Sequence, residues 1–338
     1  MTGAEKIIFK GTECVKLKAE CYEAIICPSL GNQVLRLRRI KPEPVCEIFR
    51  YSDDVSIDTI KEAPAIWGLP TMYLPNRFDG GVIKTSDSVY KLPINEPDFG
   101  NYIHGFTYKR PFEIEEMAAD ENNASLTASF VYDKRDEMYE YFDVDFKMTI
   151  RFVLSDNGLY QEITLKNLSG KALPVSIATH TCINAPLVAG AKEENLRLRV
   201  PIDKRCELSE RFLPTEKLID LSDWDKEYKS GEKIPTGQVI ENDMYTSSRA
   251  DFYGTIVYDT ENKLSLRNEV SEEFKFFNMW NDSGDKGYFC PEPMTAMINS
   301  PNLSLDREIS GYREISGYRE LLGGEEFSCH QSFEIVKE

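Results

Sequence analysis

A chain of 338 residues with a formal net charge of −17 repels phosphate backbones and anionic lipid, which sets nucleic-acid and membrane partners aside. Its 41% hydrophobic residues suffice to bury a sizeable core, which excludes a disordered chain. No apolar run approaches the roughly 18–20 residues that span a bilayer. The start, Met1-Thr2-Gly3-Ala4-Glu5-Lys6, has no basic stretch followed by an apolar one, so it does not read as a signal peptide and the expected location is the cytoplasm. The cysteines (Cys14, Cys21, Cys27, Cys46, Cys182, Cys206, Cys290 and Cys329) form no C-x-x-C and read as reduced thiols. The N-x-S/T sequons at Asn123, Asn167, Asn281 and Asn302 are then expected to be unmodified.

In chain order, short segments of period two open the sequence: Cys14–Glu20, Tyr22–Ile26 and Val34–Leu37. Glu113–Asn122 reads as a weak helix-like window, and Ser125–Tyr132 as a strand. The clearest alternation follows, with Phe142, Val144, Phe146, Met148, Ile150, Phe152 and Leu154 separated by polar residues up to Arg151. That pattern predicts a long half-buried strand. Asp156-Asn157-Gly158 reads as a hairpin turn, with Leu159–Leu168 as the return strand. Further strands are expected over Leu173–Thr181, Phe252–Tyr258, Lys263–Arg267, Phe274–Met279 and Phe327–Val336. Arg307–Leu322 is a second weak helix-like window. It holds a tandem duplication, Ile309–Glu314 repeated as Ile315–Glu320, which reads as an insertion lengthening a surface hairpin or loop. Many strands, few short helices and no Pro/Gly/Ser linker predict an all-β chain: one large antiparallel β-sandwich, with residues 1–338 as a single domain.

Histidine is the commonest proton-transfer side chain near neutral pH, and the chain has only three. His330 shares a strand face with Ser328, Ser332 and Glu334, opposite Phe327, Cys329, Phe333 and Ile335, so it reads as solvated and without function. His180 shares its face with Ser176, Ala178 and Cys182, small neighbours that leave room for a ligand. His104 precedes Gly105, which permits close approach of a ligand. Glu292 is bracketed by Pro291 and Pro293 among aromatic and apolar residues, a setting that stiffens the backbone and favours a raised carboxyl pKa.

Together and in this order these elements resemble the aldose 1-epimerase family. The motifs that carry the resemblance are Pro75-Asn76-Arg77-Phe78, His104-Gly105-Phe106 with Lys109-Arg110, Thr179-His180-Thr181-Cys182-Ile183-Asn184, and Glu292-Pro293-Met294-Thr295 followed by Pro301-Asn302. The resemblance implies a galactose mutarotase-like supersandwich that interconverts the α and β anomers of a monosaccharide, an aldohexose, without metal or cofactor. In it His180 is the acid on the ring oxygen and Glu292 the base on the C1 hydroxyl. His104 and Arg77 hold the sugar, and Asp251 matches the family's sugar-binding aspartate. Trp67, Tyr73, Phe106 and Trp280 are candidates for stacking on a sugar face. Thr179 stands where the family has Asn, and Cys182-Ile183 where it has Tyr-Phe. A hexose-6-phosphate 1-epimerase, with Arg77 or Arg110 on the phosphate, is the second expectation. A non-catalytic carbohydrate-binding protein is the third, and a homodimer is left open.

Overall fold

A strand buried on one face needs alternating apolar and polar side chains. The computed structural model, which describes residues 2–303 and 316–338, meets this along Phe146–Ser155. There Phe146, Met148, Ile150, Phe152 and Leu154 are fully buried and the residues between them are not. The hairpin partner Gly158–Asn167 pairs in unbroken register from Ser155↔Gly158 to Phe146↔Asn167. These strands lie inside an eight-stranded antiparallel sheet. Its order is Glu113–Ala119, Ala124–Tyr132, Phe146–Ser155, Gly158–Asn167, Glu326–Lys337, Leu264–Val270, Gly254–Asp259, Leu196–Arg199.

A second sheet runs Pro214–Ile219, Ile202–Leu208, Asp243–Ser247, Phe276–Trp280, Tyr288–Met294, Ala178–Thr179, Thr71–Met72, with Ile183–Asn184 also on Tyr288–Met294. Its residues Ile202, Tyr245 and Phe277 share one apolar core with Phe146, Phe152, Ile163 and Phe333 of the first sheet. A five-stranded N-terminal sheet, Gly3–Phe9 to Cys46–Glu47, adds Leu17, Ile26 and Leu37 to that core. Among the described residues the α-helices are Ile57–Glu62 and Asp223–Ser230, both short, as expected for an all-β sandwich.

Two local expectations are corrected. Glu113–Ala119 is an edge strand, not a helix, paired with Ala124–Tyr132 through a register shift between Ile114 and Glu116. Its Glu, Met and Ala residues favour a helix intrinsically, but pairing decides. The first copy of the duplication and most of the second helix-like window lie outside the described residues. The described residues 316–320 of the second copy are no surface loop: Ser316 and Tyr318 are buried, and Arg319–Leu321 pairs with Leu173–Val175.

A buried polar chain joins the two sheets. The Gln331 amide donates to Gln161 at 2.6 Å and to the Thr179 hydroxyl at 3.1 Å, Gln161 donates to Thr71 at 3.0 Å, and Asn268 donates to Gln331 at 3.1 Å. Thr179 therefore faces the core, and the pleat turns His180 to the opposite, outer face of the second sheet. Removing one member of such a chain leaves the others unpaired in a dry interior. Gln331→Ala is expected to lower unfolding free energy by about 1–3 kcal/mol in urea denaturation. A change within about 0.5 kcal/mol, the size of an ordinary surface substitution, would show that the chain contributes no stability.

Candidate active site

Proline inside a central strand removes ladder donors and is normally excluded. Here Pro291 and Pro293 lie within Tyr288–Met294, between two neighbours. On the side of Phe276–Trp280 the register is continuous, with Asn278 opposite Glu292. On the other side pairing stops at Ala178↔Met294 and resumes at Ile183↔Phe289. The gap falls where the missing N–H groups would have donated, and His180 sits in it. The freed segment bonds elsewhere: the His180 N–H donates to the Pro70 carbonyl at 3.0 Å and the Cys182 N–H to that of Gly68 at 3.1 Å.

His180 and Glu292, 112 residues apart in sequence, meet across this gap. His180 Nε2 lies 3.5 Å from Glu292 Oε1, and each residue retains 4% of its surface exposed. The Asn278 amide donates to the same carboxyl oxygen at 3.3 Å. Burial pushes the Glu292 carboxyl up to about 7, against the pull of His180, Asn278 and Arg77. Burial alone would lower the His180 imidazole, but the Glu292 carboxylate and the Cys182 sulfur outweigh it and raise His180 to about 9. Near neutral pH the pair therefore holds a protonated imidazole beside a partly ionised carboxylate, an acid and a base in contact.

Arg77 and His104 are brought to this pair by the ribbon Arg77–Asp79/Asn101–Ile103, in which Arg77 faces Ile103. His104 has φ +68° and donates its N–H to the Asn76 carbonyl at 2.9 Å. Gly105 follows at φ +64°, and any side chain there would collide with the Tyr73 carbonyl, so glycine is required. The His104 ring stands edge-on to His180 with centroids 5.4 Å apart, and its buried Nδ1 has no hydrogen-bond partner among the described residues. Burial, with His180, Arg77 and Lys109 nearby, holds His104 well below the ordinary histidine range, so its ring is neutral near pH 7.

Arg77 makes a bidentate pair with Glu96, its Nε at 2.9 and 3.0 Å and one terminal nitrogen at 2.8 Å. Arg110 is held likewise by Asp136 at 2.6 and 2.9 Å, and also reaches Glu137 at 3.0 Å. Trp280 is half-buried at the pair, with centroids 5.7 Å from His180 and 6.0 Å from Tyr288. The Arg50 guanidinium lies over the rings of both Trp67 and Tyr288, 4.0 and 3.7 Å from their centroids.

Three sequence candidates lie elsewhere. Phe106 is turned into the core, its ring 4.9 Å from Tyr132 and 6.3 Å from Phe146, with 4% exposure and no face for a sugar. Tyr73 is fully buried and donates to the Pro174 carbonyl. Asp251 is exposed on a bend leading into Gly254–Asp259, a strand of the other sheet, and no hydrogen bond or ion pair among the described residues links it to His180 or Glu292. The reading of His330 agrees with its position, exposed on the outer face of Glu326–Lys337 and opposite Glu162.

Asn278, Glu96 and Arg50 were not foreseen; no motif marks them. Cys182, read from the sequence only as a small neighbour, and Cys290 carry a usable signal: they stand two residues from His180 and Glu292, on the same strand faces. Cys182 Sγ lies 3.5 Å from His180 Nδ1 and 3.5 Å from Cys290 Sγ. Burial would raise both thiols, but the hydrogen bond from Cys290, with His180 and Arg50 nearby, holds Cys182 below the usual thiol range, while burial and the Cys182 sulfur hold Cys290 well above it.

The sequence profile of the aldose 1-epimerase family matches residues 13–313. A solved galactose mutarotase-like protein from Clostridium acetobutylicum is 31% identical and superposes with a TM-score of 0.94, covering 100% of this chain and 99% of its own. Galactose 1-epimerase from Lactobacillus acidophilus NCFM shares the fold at a TM-score of 0.73 and 14% identity, with 99% of each chain covered. The chromosomal LacX protein of Lactococcus lactis subsp. lactis is 24% identical over 224 residues, 65% of this chain and 72% of that protein. By profile, identity and fold alike, the chain belongs to the aldose 1-epimerase family.

Proposed function

We propose that this protein is a mutarotase, interconverting the α and β anomers of a free aldohexose with Glu292 as base and His180 as acid. The observation that carries the reading is the 3.5 Å approach of His180 Nε2 to Glu292 Oε1 at a break in the sheet. In a pyranose the ring oxygen O5 and the hydroxyl O1 are bonded to the same carbon, C1. An acid for one and a base for the other must therefore lie side by side, as these do, flanking one edge of the sugar and not opposite faces of it. Glu292 takes the O1 proton, the C1–O5 bond breaks with its electron pair going to O5, and O5 takes the His180 proton. The product is an open-chain aldehyde beside neutral imidazole and protonated carboxyl. After rotation about C1–C2, O5 attacks the other face of C1, O1 takes back its proton from Glu292, and His180 recovers the O5 proton. The resting state returns with no net consumption of acid or base.

Arg77 and the neutral His104 would hold ring hydroxyls, and Trp280 offers an apolar face beside the acid. The phosphate branch has less support, since Arg77 and Arg110 are both neutralised by bidentate carboxylates. The test is polarimetry of freshly dissolved α-glucose, α-galactose and related aldoses, with coupled assays of the corresponding 6-phosphates. Acceleration of free aldoses above their 6-phosphates is expected. Preference for the phosphates would overturn the choice of substrate, and sugar binding without acceleration of any of them would make the protein a non-catalytic binder.

A further inference from the structure

His180 presents Nε2 to Glu292, while its other ring nitrogen faces two cysteines that take no proton in the proposed anomerisation. The strands carrying His180-x-Cys182 and Cys290-x-Glu292 are antiparallel, and their flanking registers, Ala178↔Met294 and Ile183↔Phe289, place Cys182 directly opposite Cys290. His180 Nδ1, Cys182 Sγ and Cys290 Sγ all lie within 4.8 Å of one another, with two of the three separations at 3.5 Å. Zinc binds sulfur at about 2.3 Å and imidazole nitrogen at about 2.0–2.1 Å, so its tetrahedral ligand atoms stand about 3.4–3.8 Å apart. Both separations from Cys182 Sγ thus already match edges of such a tetrahedron, and the third, His180 Nδ1 to Cys290 Sγ, is at most 4.8 Å, so a small side-chain adjustment completes three corners and leaves the fourth for water. All three residues are buried, and two thiolates cancel the charge of a divalent ion, so the loaded site adds no net charge to a dry interior. Thiolate and imidazole together select zinc and its neighbours over magnesium or calcium.

We propose that His180 Nδ1, Cys182 and Cys290 form a binding site for a thiophilic divalent cation of the zinc type, and that loading it switches the acid–base pair off. A metal on Nδ1 fixes the imidazole as its Nε2–H tautomer. His180 can then no longer give up and recover the proton that anomerisation needs. This inhibitory consequence rests on the proposed mutarotase function; the binding site itself does not.

The test uses the full chain, reduced and stripped of metal, titrated with cobalt(II) as a spectroscopic stand-in for zinc. One cobalt per chain is expected, with a thiolate-to-cobalt charge-transfer band in the near ultraviolet and the intense visible absorption of a tetrahedral site, both removed by stoichiometric zinc. Cys290→Ser is expected to weaken cobalt binding by more than about 100-fold, beyond what outer-shell changes alone produce. Its mutarotation rate should be the same with and without zinc, whereas zinc slows the native chain. Cys182→Ser provides the same spectroscopic readout if Cys290→Ser does not fold. Absence of the charge-transfer band in the native chain, or its persistence in both serine variants, overturns the site. Cobalt bands that require both cysteines, in a protein that accelerates no anomerisation, uphold the site and overturn the mutarotase reading instead.

Discussion

Glu292→Gln is expected to lower the rate of anomer interconversion by about 10²–10⁴-fold, the contribution of one positioned acid–base group. The amide keeps the shape of the carboxyl and its contact with Asn278, but cannot take the O1 proton. Stability should move the other way. A buried carboxyl pushed up to about 7 is one whose ionised form the fold disfavours, so above that pH the folded state carries a charged group it binds less well than the unfolded chain does. A neutral amide removes that penalty, and the variant should melt at the same temperature as the native chain or higher when measured at pH 8. Loss of rate with unchanged or raised melting temperature is the mark of a group kept for chemistry at a cost in stability. Near-native polarimetric rates in Glu292→Gln would end the assignment of Glu292 as base.

The same balance explains what could be read from the sequence. Where one face of a strand is buried, the period-two pattern is unambiguous, and Phe146–Ser155 with its hairpin partner follows it residue by residue. The pattern fails at edges. Glu113–Ala119 has one partner and mostly exposed or half-buried side chains, so alternation was never enforced there and helix-forming residues are tolerated. The site was legible where a residue type is rare or geometrically constrained: few histidines, a glycine that nothing else can replace, a glutamate between prolines. What the prolines do was not legible, because the ladder they interrupt belongs to a strand more than 100 residues away. Aromatic residues were the poorest guide. Phe106, Tyr73 and Trp280 look alike in sequence, yet two are core and one stands beside the acid, since hydrophobicity drives all three inward and only packing decides which keeps an exposed face. Asp251 is placed by the family resemblance alone; it lies on an exposed bend before a strand of the other sheet, and no hydrogen bond or ion pair among the described residues ties it to the pair.

His180→Asn should cost as much as Glu292→Gln, again about 10²–10⁴-fold, and for a second reason beyond the missing acid. Glu292 is partly ionised near neutral pH chiefly because the protonated imidazole at 3.5 Å, helped by Asn278 and Arg77, opposes the effect of burial. With Asn at 180 the largest part of that opposition is gone, the carboxyl moves further up, and the variant loses most of its base along with its acid. The two groups therefore act as a unit, and their effects should not add. The double variant His180→Asn/Glu292→Gln is expected to be no slower than either single variant, while His330→Ala, on the outer face of the other sheet, leaves the rate unchanged. Losses that multiply in the double variant would mean that the two residues act independently, and a rate loss in His330→Ala comparable to that of His180→Asn would place the acid on the wrong sheet.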